Sequence, residues 1–354
     1  MDLSEFDYEL PEERIAQQPL EDRAASRMLV VYRKEQRWED RQFREFPSFV
    51  QPGDVIVLNN SKVLPARLFG HRCGARALAI GRNHPKSREY LGGRVEVLLL
   101  RATKEDPLVW QVLVRPGRKL QIGERIQFSQ RLRAQIVGRG AYGERTVRFE
   151  VEGDFFEAVN EVGHVPLPPY IHRPDTAQDQ ARYQTVYAKN AGSVAAPTAG
   201  LHFTPEILAE CERAGATLAE VTLHVGLGTF QPLRTQVVEQ AKLHAEYYQV
   251  DSLTAQRIQS ARRVFGIGTT SVRTVETLAA NGWRQLEGET ELFIYPGYEY
   301  RRIDALLTNF HLPQSSLLLL VCAFAGKDLI LAAYRHAVRA EYRFYSYGDC
   351  MLIL

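Results

Sequence analysis

The 354-residue chain predicts an α/β main domain, a layered sheet with helices, that carries an inserted small β-barrel domain. Three observations carry that expectation. Buried-strand runs feed polar loops and then helices, the rhythm of an α/β sheet. Between them lies a stretch of short apolar alternations with a period near two, separated by turn residues, as in small barrels. That stretch is also strongly basic. Residues 67–148 hold 18 Lys and Arg against 6 Asp and Glu, a local balance of +12 in a chain whose net charge is only +2. Such asymmetry suits a segment that meets a polyanion, although a solvated basic face needs no partner. The expected division is a discontinuous α/β main domain over 1–66 and 150–354, and a basic barrel over 67–149.

Composition sets the outer bounds. An apolar content of 45% with 24% charged residues is that of a soluble globular protein. The longest apolar run, Leu317 to Ala325, is nine residues, far short of a membrane span. The acidic start, Met1-Asp-Leu-Ser-Glu-Phe-Asp7, has no character of a signal or transit peptide. Cys73, Cys211, Cys322 and Cys350 show neither zinc nor disulfide spacing, so a cytoplasmic location is expected.

Along the chain, Val55 to Leu58 reads as a buried strand ending in Asn59-Asn60-Ser61. Val95/Val97/Leu99, Trp110 to Val114, Ile126/Phe128, Leu132/Ala134/Ile136 and Val147/Phe149/Val151 read as barrel strands. Arg131, Arg133, Arg145 and Arg148 then fall on or near the outward face, and Gly70 to Gly93 reads as a polar excursion. Ser193 to Phe203 is a small-residue loop holding Thr198, Gly200 and His202. It delivers onto a helix with Thr204 as N-cap, Pro205 at its first position and Gly215 as its stop. That arrangement suits an anionic or polar ligand; a tight interdomain turn is the alternative. Leu218 to Val225 is a second strand run, followed by Gly226-Leu-Gly228-Thr229. Arg263 to Ile267 opens into Gly268-Thr269-Thr270-Ser271 and a helix to about Ala280. Ala305 to Leu307 leads through Asn309 and His311 into helices at Ser315 to Ala325 and Lys327 to Arg343. The tail Tyr342 to Asp349 reads as an alternating core strand, or as aromatic faces for nucleobases.

Ligands of open α/β sheets bind outside the carboxyl ends of the strands, and the unusual residues gather there. The two glycines of Gly226 to Gly228 make a weak dinucleotide fingerprint. Gly268 to Ser271 offers free N–H groups and hydroxyls to a carboxylate or phosphate, unless Ser271 merely caps its helix. Arg273 and Glu276 are a local ion pair or ligand contacts. His202, His224, His244 and His311 sit in loops or at strand ends as acid–base or structural groups. None has metal-motif spacing, so no metal is expected. Glu246, Glu276, Asp304 and Asp349 are the acidic candidates.

Several long strings belong together. They are Leu58-Asn-Asn-Ser-Lys-Val-Leu-Pro-Ala-Arg-Leu68, Gly163-His-Val-Pro-Leu-Pro-Pro-Tyr-Ile171 and Tyr183-Gln-Thr-Val-Tyr187. Further on stand Ala195 to Phe203, Val221 to Pro232, Gly268 to Arg273, Thr308 to Pro313 and Tyr342 to Asp349. With these strings the chain resembles, nearly end to end, the S-adenosylmethionine:tRNA ribosyltransferase-isomerase (QueA) family of queuosine biosynthesis. The resemblance implies transfer and isomerisation of the ribosyl part of S-adenosylmethionine onto 7-aminomethyl-7-deazaguanine at the tRNA wobble position. Epoxyqueuosine-tRNA, adenine and methionine are the implied products. S-adenosylmethionine is then a consumed co-substrate, and no metal, redox cofactor, membrane or obligate protein partner is called for. Chemistry assigns His202, His224, Glu246 and Asp349 as catalytic candidates. It assigns Thr198, Gly200, Gly226, Gly228, Thr229, Thr269, Thr270, Ser271, Arg273, Asn309, His311 and Tyr345 to substrate binding. Arg273 is expected to clamp the methionine carboxylate, and Arg67, Arg131, Arg133 and Arg148 to meet tRNA. Two other classes fit the residues alone: a non-catalytic tRNA-binding protein, and an S-adenosylmethionine-dependent RNA methyltransferase.

Overall fold

The computed structural model describes residues 1–73, 93–103, 105–140, 143–226, 233 and 235–354. It divides into two compact units: Met1–Lys62 with Pro168–Pro174 and Ala181–Leu354, and Val63–Leu167 with Asp175–Gln180. The second unit thus reaches beyond 67–149 at both ends. Most of the Gly70 to Gly93 excursion, together with Gly228 and Thr229, lies outside the described residues.

Nine strands build one mixed sheet in the first unit. They are β1 (Arg27–Tyr32), β2 (Arg37–Gln42), β3 (Asp54–Asn59), β4 (Thr217–Leu223), β5 (Glu246–Gln249), β6 (Arg263–Ile267), β7 (Glu287–Thr290), β8 (Ala305–Asn309) and β9 (Cys350–Ile353). Their spatial order is β7-β5-β4-β3-β6-β8-β9-β1-β2. The central four, β4, β3, β6 and β8, are parallel. Among the described residues five α-helices lie wholly within this unit: α1 (Pro205–Arg213), α2 (Ser252–Ser260), α3 (Gly268–Ala280), α4 (Ser316–Ala325) and α5 (Lys327–Arg339).

Both faces of the sheet are covered, which is why its central strands read as unbroken apolar runs. Val55, Val57, Val264 and Leu306 pack in one layer with Ile258, Val275, Leu318 and Ile330 of α2 to α5. Ile56, Leu58, Phe265, Ile267 and Leu307 point the other way, onto Phe43, Phe46, Phe203 and Ile207 of α1. After β3 the chain places β4 on one side of it and β6 on the other. The strand order therefore reverses between β3 and β6, the kind of crevice where open α/β sheets bind ligands.

Side chains cap the starts of α1, α2 and α4 but not those of α3 and α5. The Ile207 N–H donates to Thr204 Oγ1 at 3.3 Å, and the Leu318 N–H to Ser315 Oγ at 3.2 Å. In α3 the N-cap position falls to Ile267 and no side chain caps the helix. Ser271 is not a cap. The α5 helix stops at Arg339, short of Arg343, and Glu341 adopts a φ of +59°. Gly326 separates α4 from α5 at a 117° bend, and no single helix among the described residues is long and apolar enough to cross a membrane.

Tyr342 to Asp349 is not a strand. Gly348 lies so close to the backbone that an added Cβ would stand 2.5 Å from the Arg343 carbonyl oxygen. The Asp349 carboxylate accepts the N–H groups of Arg343 and Arg27, at 2.8 and 2.9 Å, and so folds the segment back as a loop. Tyr342, Phe344 and Tyr347 are buried in it.

In the second unit, strands Arg67–Arg72, Arg94–Ala102, Val109–Arg115, Glu144–Val151, Leu132–Arg139 and Arg125–Gln127 pair in that order. Pairing of His71 with Gln127 and Arg72 with Ile126 closes them into a six-stranded barrel. Gly70 permits the closure, since a Cβ there would lie 2.7 Å from the Gln127 carbonyl oxygen. Leu68, Val97, Leu99, Val112, Ile136 and Val147 are among its buried apolar side chains. Arg145 is a correction to the outward pattern. It is buried, and its guanidinium donates to the carbonyls of Leu120 and Gly117 at 2.9 and 2.7 Å.

The wider bounds also change the electrostatics. Glu150 to Glu161, Asp175 and Asp179 join the barrel, and the unit then holds 18 Lys and Arg against 13 Asp and Glu. Local ion pairs within the unit are Arg67 with Glu96 at 2.7 Å and Arg148 with Asp106 at 2.9 Å, and the added segment supplies Glu161 to Arg131 at 2.6 Å. Arg133 is exposed on its strand, opposite Glu150.

Candidate functional site

A cleft open to solvent, with about 520 Å³ of space between its walls and mouth, lies in the first unit at the carboxyl ends of β4, β6 and β8. One wall is the loop Ala195 to Ala199, including Thr198. A second is the start of α3, Gly268 to Thr270, and a third is Thr308 to His311 with Tyr345 and Ser346. Tyr170, arriving from a distant part of the chain, lays its ring 3.9 Å from that of Tyr345 and shares a 2.5 Å hydrogen bond with the Ser346 hydroxyl. Sequence reasoning did not single out Tyr170, Thr308 or Ser346. Only the Pro-Pro-Tyr setting of Tyr170 and the strand-end position of Thr308 could have marked them.

Thr198, Thr269, Thr270, Asn309, His311 and Tyr345 therefore share one cleft. Tyr345 is held there with φ at +72°, a strained conformation for a tyrosine. Burial raises its pKa, so the phenol stays protonated. Gly200 and Ser271 lie outside the lining. An added Cβ on Gly200 would stand 2.0 Å from the Tyr187 hydroxyl, so this glycine serves close packing of the loop. Gly226 is half-buried and donates its N–H to Glu246 Oε1 at 3.1 Å.

His202 sits behind the wall. The Asn309 amide donates to Nε2 at 3.3 Å, which leaves Nδ1 as the donor to Ser26 Oγ at 2.8 Å. Burial, helped by repulsion from Arg23 and Arg343, pushes its pKa down to about 3. It does not titrate near neutral pH. Both ring nitrogens are engaged, and the ring fixes Asn309, whose amide also donates to the Tyr345 carbonyl at 3.0 Å. Burial likewise holds His311 at about 3, with Nε2 paired to Thr308 Oγ1 at 2.8 Å.

His224 follows β4, immediately before the cleft residue Val225. Its ring stacks on Tyr247 at 5.9 Å, and its other face closes on Gly192, where an added Cβ would come within 2.9 Å. Nδ1 is buried with no hydrogen-bond partner among the described residues, and burial lowers the pKa. His244 is exposed and does not line the cleft.

Arg273 is occupied. It forms a buried ion pair with Glu246 and donates Nε to the Leu292 carbonyl at 3.0 Å. Its charge is already matched, so the clamp expected for a ligand carboxylate is not available there. Nor does Arg273 pair with Glu276. That carboxylate accepts the N–H groups of Arg301, Arg302 and Ile303 at 2.8 to 3.0 Å and organises their loop. Asp349, whose pKa burial raises, is committed to backbone N–H groups as described, and Asp304 accepts from Val264 N–H at 2.8 Å. Among the described residues no three His, Cys, Asp or Glu side chains are grouped so as to hold a metal.

This geometry is that of an α/β-sheet protein with a polar ligand cleft at the switch point of its strand order. The chain belongs to the family described as Queuosine biosynthesis protein, whose model matches residues 3–353. It is 63% identical over 354 residues, covering all of both chains, to the S-adenosylmethionine:tRNA ribosyltransferase-isomerase of Solibacter usitatus (strain Ellin6076). The protein of that name from Natranaerobius thermophilus is 47% identical over 360 residues, covering 100% of this chain and 99% of the relative. The solved S-adenosylmethionine tRNA ribosyltransferase of Thermotoga maritima matches with a TM-score of 0.53 at 39% identity, over 99% of this chain and all of the other.

Proposed function

We propose that this chain is an enzyme, a tRNA ribosyltransferase-isomerase that consumes S-adenosylmethionine. One observation supports the reading most. Three strings far apart in sequence, Ala195 to Phe203, Gly268 to Arg273 and Thr308 to Pro313, each send residues into a single cleft. S-adenosylmethionine binds in that cleft. The sulfonium acidifies the adjacent C5′ hydrogens, and a base removes one. The C5′ carbanion pair expels the ring oxygen from C4′, and the freed oxygen becomes a C1′ aldehyde as adenine leaves with the abstracted proton. The aminomethyl nitrogen of 7-aminomethyl-7-deazaguanine adds to C4′ and releases its own proton. The C5′ carbanion thus regenerated closes on C1′, and the resulting C1′ alkoxide displaces methionine from C5′ as the epoxide closes. Every electron pair is supplied within the two substrates, so the scheme uses neither metal nor redox cofactor.

His224 is the base in this reading. It is neutral at pH 7, fixed between Gly192 and Tyr247, and keeps one nitrogen unpartnered. Glu246 holds the Gly226 backbone beside it. His202 is a positioning residue that acts through Asn309. The barrel meets tRNA with its uncompensated cations, Arg133 foremost.

Purified protein given tRNA that carries the aminomethyl-deazaguanine is expected to release adenine and methionine in step with tRNA modification. His224→Ala should lower kcat at least about a hundredfold with little change in S-adenosylmethionine binding. A methyltransferase would leave S-adenosylhomocysteine, and a binding protein would leave the co-substrate intact. No tRNA-dependent adenine from folded protein overturns the reading.

A further inference from the structure

The cleft holds two kinds of buried, unanswered polar atom. At its α3 end the first turn of a 13-residue helix is uncapped, so its leading N–H groups lack intrahelical acceptors. Thr270, 8% exposed, lines the cleft there, and its Oγ1 has no hydrogen-bond partner among the described residues. These are donors at the positive end of a helix dipole, and they suit a carboxylate. Also in the lining, Asn309 is 2% exposed. Its amide nitrogen is spent on His202 Nε2 and the Tyr345 carbonyl, which fixes the amide orientation. Its Oδ1 is thereby left as a buried acceptor with no hydrogen-bond partner among the described residues. A lone buried acceptor suits an ammonium. Arg273, the one cation of α3 near this turn, is neutralised by Glu246 and cannot serve.

We infer that this end of the cleft is a seat for a free α-amino-acid group, with its carboxylate on the α3 turn and Thr270, and its ammonium on Asn309 Oδ1. The inference rests on the proposed use of S-adenosylmethionine, and assigns which residues hold its methionyl end. The small walls Ala195, Ala196 and Ala199 leave room for a backbone-like group rather than a long side chain. A ligand shorn of either charge leaves one set of buried polar atoms unpaired, and that penalty is what discriminates.

Calorimetric titration of the full chain with S-adenosylhomocysteine, its decarboxylated analogue and its deaminated analogue tests the seat without turnover. Each truncation is expected to weaken binding at least about tenfold. Thr270→Val should weaken S-adenosylhomocysteine by about tenfold, leave the decarboxylated analogue unchanged and keep the loss caused by deamination. Thr270→Ser should restore the parent pattern. A truncated analogue that binds the wild type within threefold of S-adenosylhomocysteine overturns the seat. So does a folded Thr270→Val protein that loses affinity for all three ligands equally. Adenine release alongside such a result leaves the proposed reaction standing and removes this seat alone. Failure of all three ligands to bind, with no adenine release, removes both.

Discussion

At the scale of the residue, two histidines are stored in their neutral form. His202 and His311 are buried with pKa values pushed down to about 3, whereas a free imidazole titrates near 6.5. Between those values the unfolded chain binds protons that the folded chain refuses. Stability is therefore full above about pH 6.5 and falls as pH drops toward 3, by up to about 2.7 kcal/mol per pH unit for two groups. Asp349 acts in the opposite sense. Its raised pKa adds stability at low pH that is lost as pH rises through the folded value. Urea unfolding between pH 7 and pH 4 should show the histidine slope, and His311→Gln should flatten it by about one proton. An unchanged slope in that variant would mean that other groups drive the acid transition.

At the scale of the element, the site depends on backbone placed where regular structure stops. The α3 helix exposes its first turn because Ile267 cannot cap it. The Tyr342 to Asp349 segment reaches the cleft because Gly348 lets the chain fold against the backbone of Arg343 and Phe344. Gly348→Ala should cost about 1–3 kcal/mol, the range for overpacking a tight site, measured by chemical denaturation. Because Tyr345 and Ser346 ride on the same loop, the variant should also raise KM for S-adenosylmethionine. A stable variant with normal KM would show that the loop does not shape the cleft.

At the scale of the whole molecule, charge separates the two units. The barrel unit keeps a net positive balance, but carboxylates of its own segments already answer Arg67, Arg131 and Arg148. Those three are weaker candidates for phosphate contact than the sequence suggested, and exposed Arg133 is the stronger one. If about five cations meet phosphates, log affinity for tRNA should fall with log salt at a slope near −4. Arg133→Gln is expected to lessen the slope by about one, while Arg131→Gln leaves it nearly unchanged, because its partner is Glu161. Equal effects of the two substitutions would refute this division of labour.

The sequence by itself determined the layered α/β sheet, the barrel and the strings that make the cleft, because these are written in local periodicity, turn residues and helix caps. Val55 to Leu58, Arg263 to Ile267 and Ala305 to Leu307 are strands by their unbroken apolar runs, and Thr204-Pro205 starts its helix by local chemistry alone. Family membership was legible for a related reason, since its motifs are contiguous strings. Which charges are free was not legible. Arg273 looked like a ligand clamp until β5 brought Glu246 to it, and Arg145 looked outward until the Leu120 and Gly117 carbonyls took it inside. His202 looked titratable until burial fixed it neutral. A side chain's protonation and its partners are set by neighbours that arrive from far along the chain, and only the tertiary structure brings those neighbours in.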